Sequence, residues 1–213
     1  GVSLDRSIWN NGYYFSDPAL IRDYSLTQYK QANNEGKNVS VADGCMVIET
    51  LKETTNARAW DEKLGFVLHD FSYTSDVINA GEKFQFAEGI VEVKMRVRDG
   101  DITHVFSLVS EKKEPQVNVF HFDGKHVTVG NAWGNGSQTE VVKGITPSEF
   151  YIYKLEWTSE ELIWSVNNLE VFRTRKGVPS VPLFPLFASV VDKHQDDTGV
   201  MEVDWVRIYQ KKK

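Results

Sequence analysis

Apolar and polar residues alternate with a period of two along most of the chain, which is the pattern of β-strands that bury one face. The alternation is clearest in six segments, at residues 90–97, 117–119, 127–129, 151–157, 162–166 and 200–208. Turn-forming dipeptides such as Asp43-Gly44 and Asp99-Gly100 lie between such segments, as expected where hairpins join antiparallel strands. The sequence therefore predicts an all-β fold.

One hairpin is predicted with particular clarity, because Asn167-Asn168 separates the apolar segments 162–166 and 169–172. Asn tolerates the positive φ angles of tight hairpin turns. The one segment that favours a short helix is 17–22, where an Asp cap is followed by Pro at the first helical position. Regularly spaced hairpins are typical of an antiparallel sandwich of the jelly-roll kind.

Composition restricts the size and the partners of this fold. The chain has 213 residues, 41% of them hydrophobic, and no linker or repeat divides it, so we expect a single domain over residues 1–213. No apolar run approaches the about 18 residues that would predict a membrane span. A net charge of -6 without a basic patch argues against nucleic acid as a partner. The single cysteine, Cys45, excludes an intramolecular disulfide.

Four ordered parts of the chain resemble glycoside hydrolase family 16, the laminarinase, lichenase and agarase group. They are residues 73–78 with 83–89 (YTSDVI, KFQFAEG), 91–96 (VEVKMR), 153–158 (YKLEWT) and 203–209 (VDWVRIY). The resemblance implies a concanavalin-like β-jelly-roll sandwich of two antiparallel sheets with a concave cleft. It further implies an oligo- or polysaccharide as the partner and an extracellular, periplasmic or cell-surface location.

The strand that carries catalysis in that family reads differently here. The family has Glu-x-Asp-x-x-Glu or Glu-x-Asp-x-Glu, whereas this chain has Gln116 for the first Glu and Asn118 for the Asp. His121 stands for the last Glu, or Phe120 does if no extra residue is present. A retaining glycosidase needs two carboxyl groups about 5–5.5 Å apart, and an amide can neither attack a sugar carbon nor exchange a proton near neutral pH. Gln116, Asn118 and His121 are therefore predicted to contact a glycan rather than to cleave it.

Aromatic candidates for stacking on a sugar are Trp133, in a Gly-rich segment, and Tyr73, each with ordinary packing as the alternative. By resemblance, Thr103 and Ser107 occupy the positions of the paired tryptophans beside the family's reaction centre, and Val77 replaces an Arg. These departures lie on the cleft side, so sugar contact there is altered as well.

No cofactor is predicted to be required. The resemblance allows a structural calcium ion away from the cleft, with Asp204 and Gly44 matching two of its ligand positions. Residues 192–197 (DKHQDD), which the resemblance places beside the cleft, hold another cluster of metal-ligand side chains, but their spacing is not diagnostic of a metal site and a solvated loop is favoured.

Three functions are compatible with these residues, and they leave open whether the protein is an enzyme. The first is a glycan-binding protein on a glycosidase scaffold without hydrolytic activity. The second is an active glycoside hydrolase of β-linked polysaccharides with a rearranged site, in which His121 would act with Glu114 or Asp123. The third is a structural or interaction domain with a vestigial cleft. Neither the polysaccharide nor the oligomeric state can be read from the sequence.

Overall fold

A computed structural model describes residues 3–112 and 114–210. The described residues form nineteen strands and no α-helix, and hence no helix that could cross a bilayer. The strands are β1 (Asn10–Asn11), β2 (Ser25–Leu26), β3 (Gln31–Asn33), β4 (Val39–Ala42), β5 (Cys45–Thr50), β6 (Thr55–Asp61), β7 (Gly65–Phe71), β8 (Tyr73–Ser75), β9 (Val77–Asn79), β10 (Gly89–Arg98), β11 (Thr103–Val109), β12 (Gln116–Phe122), β13 (Val127–Trp133), β14 (Gly136–Val141), β15 (Tyr151–Trp157), β16 (Leu162–Val166), β17 (Leu169–Thr174), β18 (Phe184–Val190) and β19 (Gly199–Tyr209). The all-β prediction is confirmed.

Two seven-stranded antiparallel sheets make up the sandwich. The first sheet has the order β1-β9-β18-β11-β12-β13-β14, and the second has the order β17-β16-β15-β10-β19-β5-β4. Each of the six clearly alternating segments lies within a strand of one of these sheets. The predicted jelly-roll sandwich is therefore confirmed, whereas its extent as one domain over residues 1–213 stays a prediction.

The core lies between the two sheets and follows the alternation in the sequence. In β10, the residues Val91, Val93 and Met95 are fully buried, while their neighbours are half-buried. Opposite them, Phe106 of β11 and Phe187 of β18 stack with ring centroids 4.3 Å apart. Burial of each such side chain stabilises the fold by about 1.5–3 kcal/mol, so the alternation in the sequence sets which face of each strand points inward.

The hairpin prediction is confirmed, and the helix prediction is wrong. Asn167 and Asn168 adopt φ angles of 47° and 68° between β16 and β17. Residues 17–22 form a turn instead of a helix: the Leu20 amide donates to the Asp17 carbonyl over 3.2 Å, and the Asp17 side chain caps the Ala19 amide at 2.9 Å. A capping Asp followed by Pro serves a single turn as well as a helix, which explains the error.

Two small sheets were not predicted. One has the order β2-β6-β7 and the other pairs β3 with β8, and the pairs β2–β6 and β3–β8 are parallel. Strands of two or three residues are too short to show a period, so their pairing depends on tertiary contacts.

A buried histidine in the first sheet makes stability depend on pH. His104 is fully buried, its Nδ1 lies 2.8 Å from the Ser189 hydroxyl, and its Nε2 has no partner among the described residues. Burial lowers the pKa of His104 from 6.5 to about 3. Between these pH values the unfolded chain binds a proton that the folded chain does not, so stability present above pH 6.5 is lost as the pH falls toward 3.

We therefore expect His104→Gln to reduce the loss of unfolding free energy as the pH falls below 6.5. Denaturant unfolding of both proteins measured from about pH 7 to about pH 4 should show the difference in unfolding free energy changing by up to about 1.4 kcal/mol per pH unit. A difference that is constant with pH would show that His104 does not titrate in this way.

Candidate functional site

The face of the first sheet that points away from the core lines a cavity of about 450 Å³. Because side chains alternate along a strand, every second residue of three neighbouring strands reaches it. These residues are Thr103, Val105, Ser107 and Val109 of β11, Gln116, Asn118 and His121 of β12, and Leu186, Ala188 and Val190 of β18. A volume of this size is typical of small-molecule sites, and we call this cavity the cleft.

A β-bulge in β12 decides which residue completes the polar face. Asn118 pairs with Ser107 and Phe120 pairs with Phe106, so Val119 is an extra residue without a partner in β11. A bulge of this kind shifts the alternation by one position. His121 therefore lines the cleft with Gln116 and Asn118, whereas Phe120 is fully buried in the core. The structure thus brings the three predicted residues together, while their role stays a prediction.

The two amides and a serine form a hydrogen-bonded network on the cleft floor. Asn118 Oδ1 accepts hydrogen bonds from Ser107 Oγ at 2.8 Å and from Gln116 Nε2 at 2.6 Å. Asn118 Nδ2 and Gln116 Oε1 form no hydrogen bond within the described residues. The Asn118 NH2 group and the Gln116 carbonyl oxygen are therefore left for a ligand, and a hydroxyl group can accept from the first and donate to the second.

The core of the sandwich holds the bulge in place. Trp164 of β16, in the opposite sheet, is fully buried, and its Nε1 donates to the Asn118 carbonyl over 2.9 Å. This bond satisfies a backbone carbonyl beside the extra residue, where the strand ladder is disrupted. The position of Asn118 therefore depends on a core residue that does not touch the cleft.

The hydrogen bonds of His121 assign its tautomer. Thr128 Oγ1 donates to the His121 carbonyl over 3.3 Å, so it accepts from His121 Nδ1 at 3.1 Å. The proton then resides on Nδ1, and Nε2 is an acceptor. Burial lowers the pKa of His121, so the ring is neutral near pH 7.

Glu111 is the one Asp or Glu side chain that lines the cleft in the described part of the chain. Its Oε1 accepts hydrogen bonds from the Ser16 amide and the Ser16 hydroxyl, both at 2.7 Å, and these bonds lower its pKa. Glu114 and Asp123, the other carboxylates considered from the sequence, do not line the cleft. Among the residues that the structure describes, the cleft therefore lacks the carboxylate pair that retaining hydrolysis requires.

The two aromatic residues proposed from the sequence do not reach the cleft. Ala132 pairs with Gln116, so Trp133 points to the opposite face of β13, where its ring packs against Gly177 and Gly136. A Cβ atom at Gly177 would lie 2.0 Å from the Trp133 ring. Tyr73 is fully buried, and its hydroxyl donates to Asp196. Both side chains therefore pack within the fold, which was the alternative to a ligand contact for each of them.

Other aromatic residues line the cleft instead, and they were not predicted. They are Tyr13, Tyr14, Phe15, Tyr29 and Phe184. The run of three aromatic residues at 13–15 in a segment without strand periodicity was the available signal. Ser16, which follows the run, holds it against the β11–β12 connection through Glu111.

The two residues matched to a calcium site lie beside one cavity of about 220 Å³, together with Asp5. However, Asp204 Oδ2 accepts a hydrogen bond from the Lys94 ammonium at 2.7 Å. Within residues 3–112 and 114–210, no three His, Cys, Asp or Glu side chains form a group that could hold a metal ion. The Lys94 ion pair engages one carboxylate oxygen of Asp204, and calcium stays a prediction from the resemblance.

The 192–197 loop lies beside the cleft, as the resemblance implied. Gln195 Nε2 donates to the cleft residue Thr103 at 3.2 Å and to the Asp101 carbonyl at 2.9 Å. Asp196 accepts from Tyr73 and lies 3.8 Å from the Lys52 ammonium. These contacts give the loop a structural role at the rim of the cleft.

Comparison with known proteins agrees with this architecture. The family model described as glycosyl hydrolases family 16 matches residues 27–207. The laminarinase catalytic domain from Thermotoga maritima MSB8 is 20% identical with a TM-score of 0.75, covering 100% of this chain and 95% of that chain. A LamA variant from Zobellia galactanivorans, in complex with laminaritriose and laminaritetraose, is 17% identical with a TM-score of 0.74, covering 98% and 94%.

A third similar structure is a family 16 protein from the mixed-linkage glucan locus of Bacteroides ovatus, in complex with a G4G4G3G product. It is 15% identical with a TM-score of 0.71, and the match covers 97% of each chain. Structural similarity at 15–20% sequence identity shows a shared fold and no more. No curated protein matches the sequence.

Proposed function

The chain belongs to glycosyl hydrolase family 16, and on that scaffold we propose that it binds a neutral oligo- or polysaccharide in the cleft without hydrolysing it. One observation carries the proposal. Gln116, Asn118 and His121 share one face of β12 at the floor of an open cavity, and none of them is a carboxylate. Amides and a neutral imidazole can bind hydroxyl groups, but they do not supply a glycosyl-accepting nucleophile.

The lining of the cleft supports an uncharged ligand. Glu111 is its one carboxylate and no Lys or Arg belongs to the described lining, so nothing there would pair with sulfate or uronate groups. Five aromatic side chains contribute flat apolar surface on which a sugar ring can pack. Polar floor and aromatic walls together resemble the mixed lining expected of a binding site for a neutral sugar.

The other two functions receive less support. An active glycosidase with His121 in a new role would need a carboxylate partner, and Glu111 alone is already hydrogen-bonded twice by Ser16. A vestigial cleft should be filled by side chains, whereas about 450 Å³ is open. The proposed location is extracellular, periplasmic or at the cell surface, where polysaccharides are encountered.

Titration calorimetry with laminaritetraose and a mixed-linkage glucan tetrasaccharide tests the binding. We expect Gln116→Ala/Asn118→Ala to weaken binding by about tenfold or more, since each lost hydrogen bond is worth about 0.5–1.5 kcal/mol. Asn135→Ala serves as the control, because Asn135 is exposed in the β13–β14 turn away from the cleft. Equal affinity of the double variant and the control, or no binding by the unaltered protein, would contradict the proposal.

A further inference from the structure

The β6–β7 hairpin carries an unusual concentration of exposed apolar side chains. Of the eleven large hydrophobic side chains that are exposed in the described part of the chain, four lie at residues 60–68: Trp60, Leu64, Phe66 and Leu68. Trp60 pairs with Phe66, and Arg58 pairs with Leu68. The side chains of these two cross-strand pairs therefore lie on one face of the hairpin. We call Arg58, Trp60, Phe66 and Leu68 the hairpin face. Clusters of this kind mark interaction sites more often than scattered exposed residues do.

The two rings of the hairpin face are held in a fixed arrangement while much of their surface stays open. Their centroids are 5.1 Å apart at an interplanar angle of 70°, and both Trp60 and Phe66 are 41% exposed. The C–H face of a pyranose is apolar and gains free energy when an aromatic ring removes it from water. A pre-arranged ring pair also loses little conformational entropy on binding.

A continuous series of aromatic contacts links the hairpin face to the cleft. Phe66 packs edge-on against Tyr24 at 5.6 Å between centroids. Tyr24 in turn contacts Tyr13 at 5.1 Å and Phe15 at 6.3 Å, and both of these rings line the cleft. Leu26, which also lines the cleft, pairs with Trp60 in the small sheet. The hairpin face therefore begins at the rim of the cleft.

We propose that the hairpin face is a second glycan-binding surface, on which a polysaccharide continues after leaving the cleft. The identity of the ligand rests on the proposed function, and the location of the surface rests on the contacts of Tyr24. The exposed parts of two rings, one leucine and Arg58 are well below the about 800 Å² per partner that specific protein interfaces bury. The polar flank, with Arg58 and the 2.7 Å hydrogen bond between Asn56 and Asp70, suits a hydroxyl-rich chain.

The test compares a long ligand with a short one. Trp60→Ala/Phe66→Ala should weaken retention in laminarin or lichenan affinity gels at least fivefold and leave the calorimetric affinity for laminaritriose unchanged, because the short ligand stays in the cleft. Leu169→Ala/Tyr209→Ala is the matched control, since both side chains are exposed on the second sheet, at 74% and 50%. Thermal melting confirms that each variant is folded.

The cleft variant Gln116→Ala/Asn118→Ala separates failure of this proposal from failure of the proposed function. Residual gel retention of that variant, abolished by adding Trp60→Ala/Phe66→Ala, supports the hairpin face even if the cleft binds no trisaccharide. Equal retention of the unaltered protein and Trp60→Ala/Phe66→Ala overturns the proposal, as does a lack of retention of the unaltered protein in every gel. The proposal is also overturned if the unaltered protein sediments as a dimer and Trp60→Ala/Phe66→Ala dissociates that dimer. A second copy of the chain would then cover the hairpin face.

Discussion

The triple variant Gln116→Glu/Asn118→Asp/His121→Glu is expected to release reducing ends from laminarin or lichenan, and the unaltered protein is expected to release none. The bulge at Val119 already places all three side chains on the cleft face. The substitutions would therefore supply a nucleophile and an acid/base at positions that face the ligand. General acid–base catalysis alone contributes about 10²–10⁴-fold, so the rate should rise at least about 10²-fold above background.

The matched control for this prediction is Asn118→Asp/His121→Glu, which retains Gln116 and so lacks the nucleophile. This control should bind the glycan and release no reducing ends. If the triple variant binds but also fails to cleave, the three positions are not the catalytic positions of the family, and the match of Gln116 to the family's first Glu would be wrong.

Trp164→Ala is expected to produce the largest loss of stability among single substitutions considered for this protein. Removal of a fully buried Trp costs about 3–5 kcal/mol, which lowers the melting temperature by about 2–4 °C per kcal/mol in a chain of this size. Trp164→Phe keeps most of the packing and removes the hydrogen bond to the Asn118 carbonyl. It should cost about 1–3 kcal/mol and also weaken glycan binding, because the bulge loses its support.

Trp157→Phe is the control for that second effect. Trp157 is also buried, and its Nε1 donates to the Pro179 carbonyl at 3.3 Å, away from the bulge. A comparable loss of stability without a loss of affinity is expected. Equal affinities of Trp164→Phe and Trp157→Phe, measured by calorimetry with laminaritetraose, would show that Trp164 does not position Asn118.

The parts of the fold that follow from local rules were predictable. The second sheet follows from alternation in segments such as 151–157, because one buried face imposes a period of two. The turn at Asn167-Asn168 follows from residues that accept positive φ. The polar face of Gln116 and Asn118 was also visible, since two polar residues interrupt an apolar strand.

The remaining features depend on partner strands and on distant segments. Spacing alone could not choose between Phe120 and His121, because the bulge appears only in the register with β11. Trp133 was misplaced since its face depends on the pairing of Ala132 with Gln116. Tyr13 and Phe15 were missed because their segment has no periodicity and reaches the cleft through tertiary contacts.

Parallel binding and cleavage measurements on the unaltered protein test the central claim most directly. The protein would be incubated with laminarin and lichenan, and new reducing ends would be assayed alongside retention in gels of the same polysaccharides. We expect retention in at least one gel and no reducing ends above the buffer control. Release of oligosaccharides by the unaltered protein would contradict binding without hydrolysis and would direct attention to Glu111 and His121.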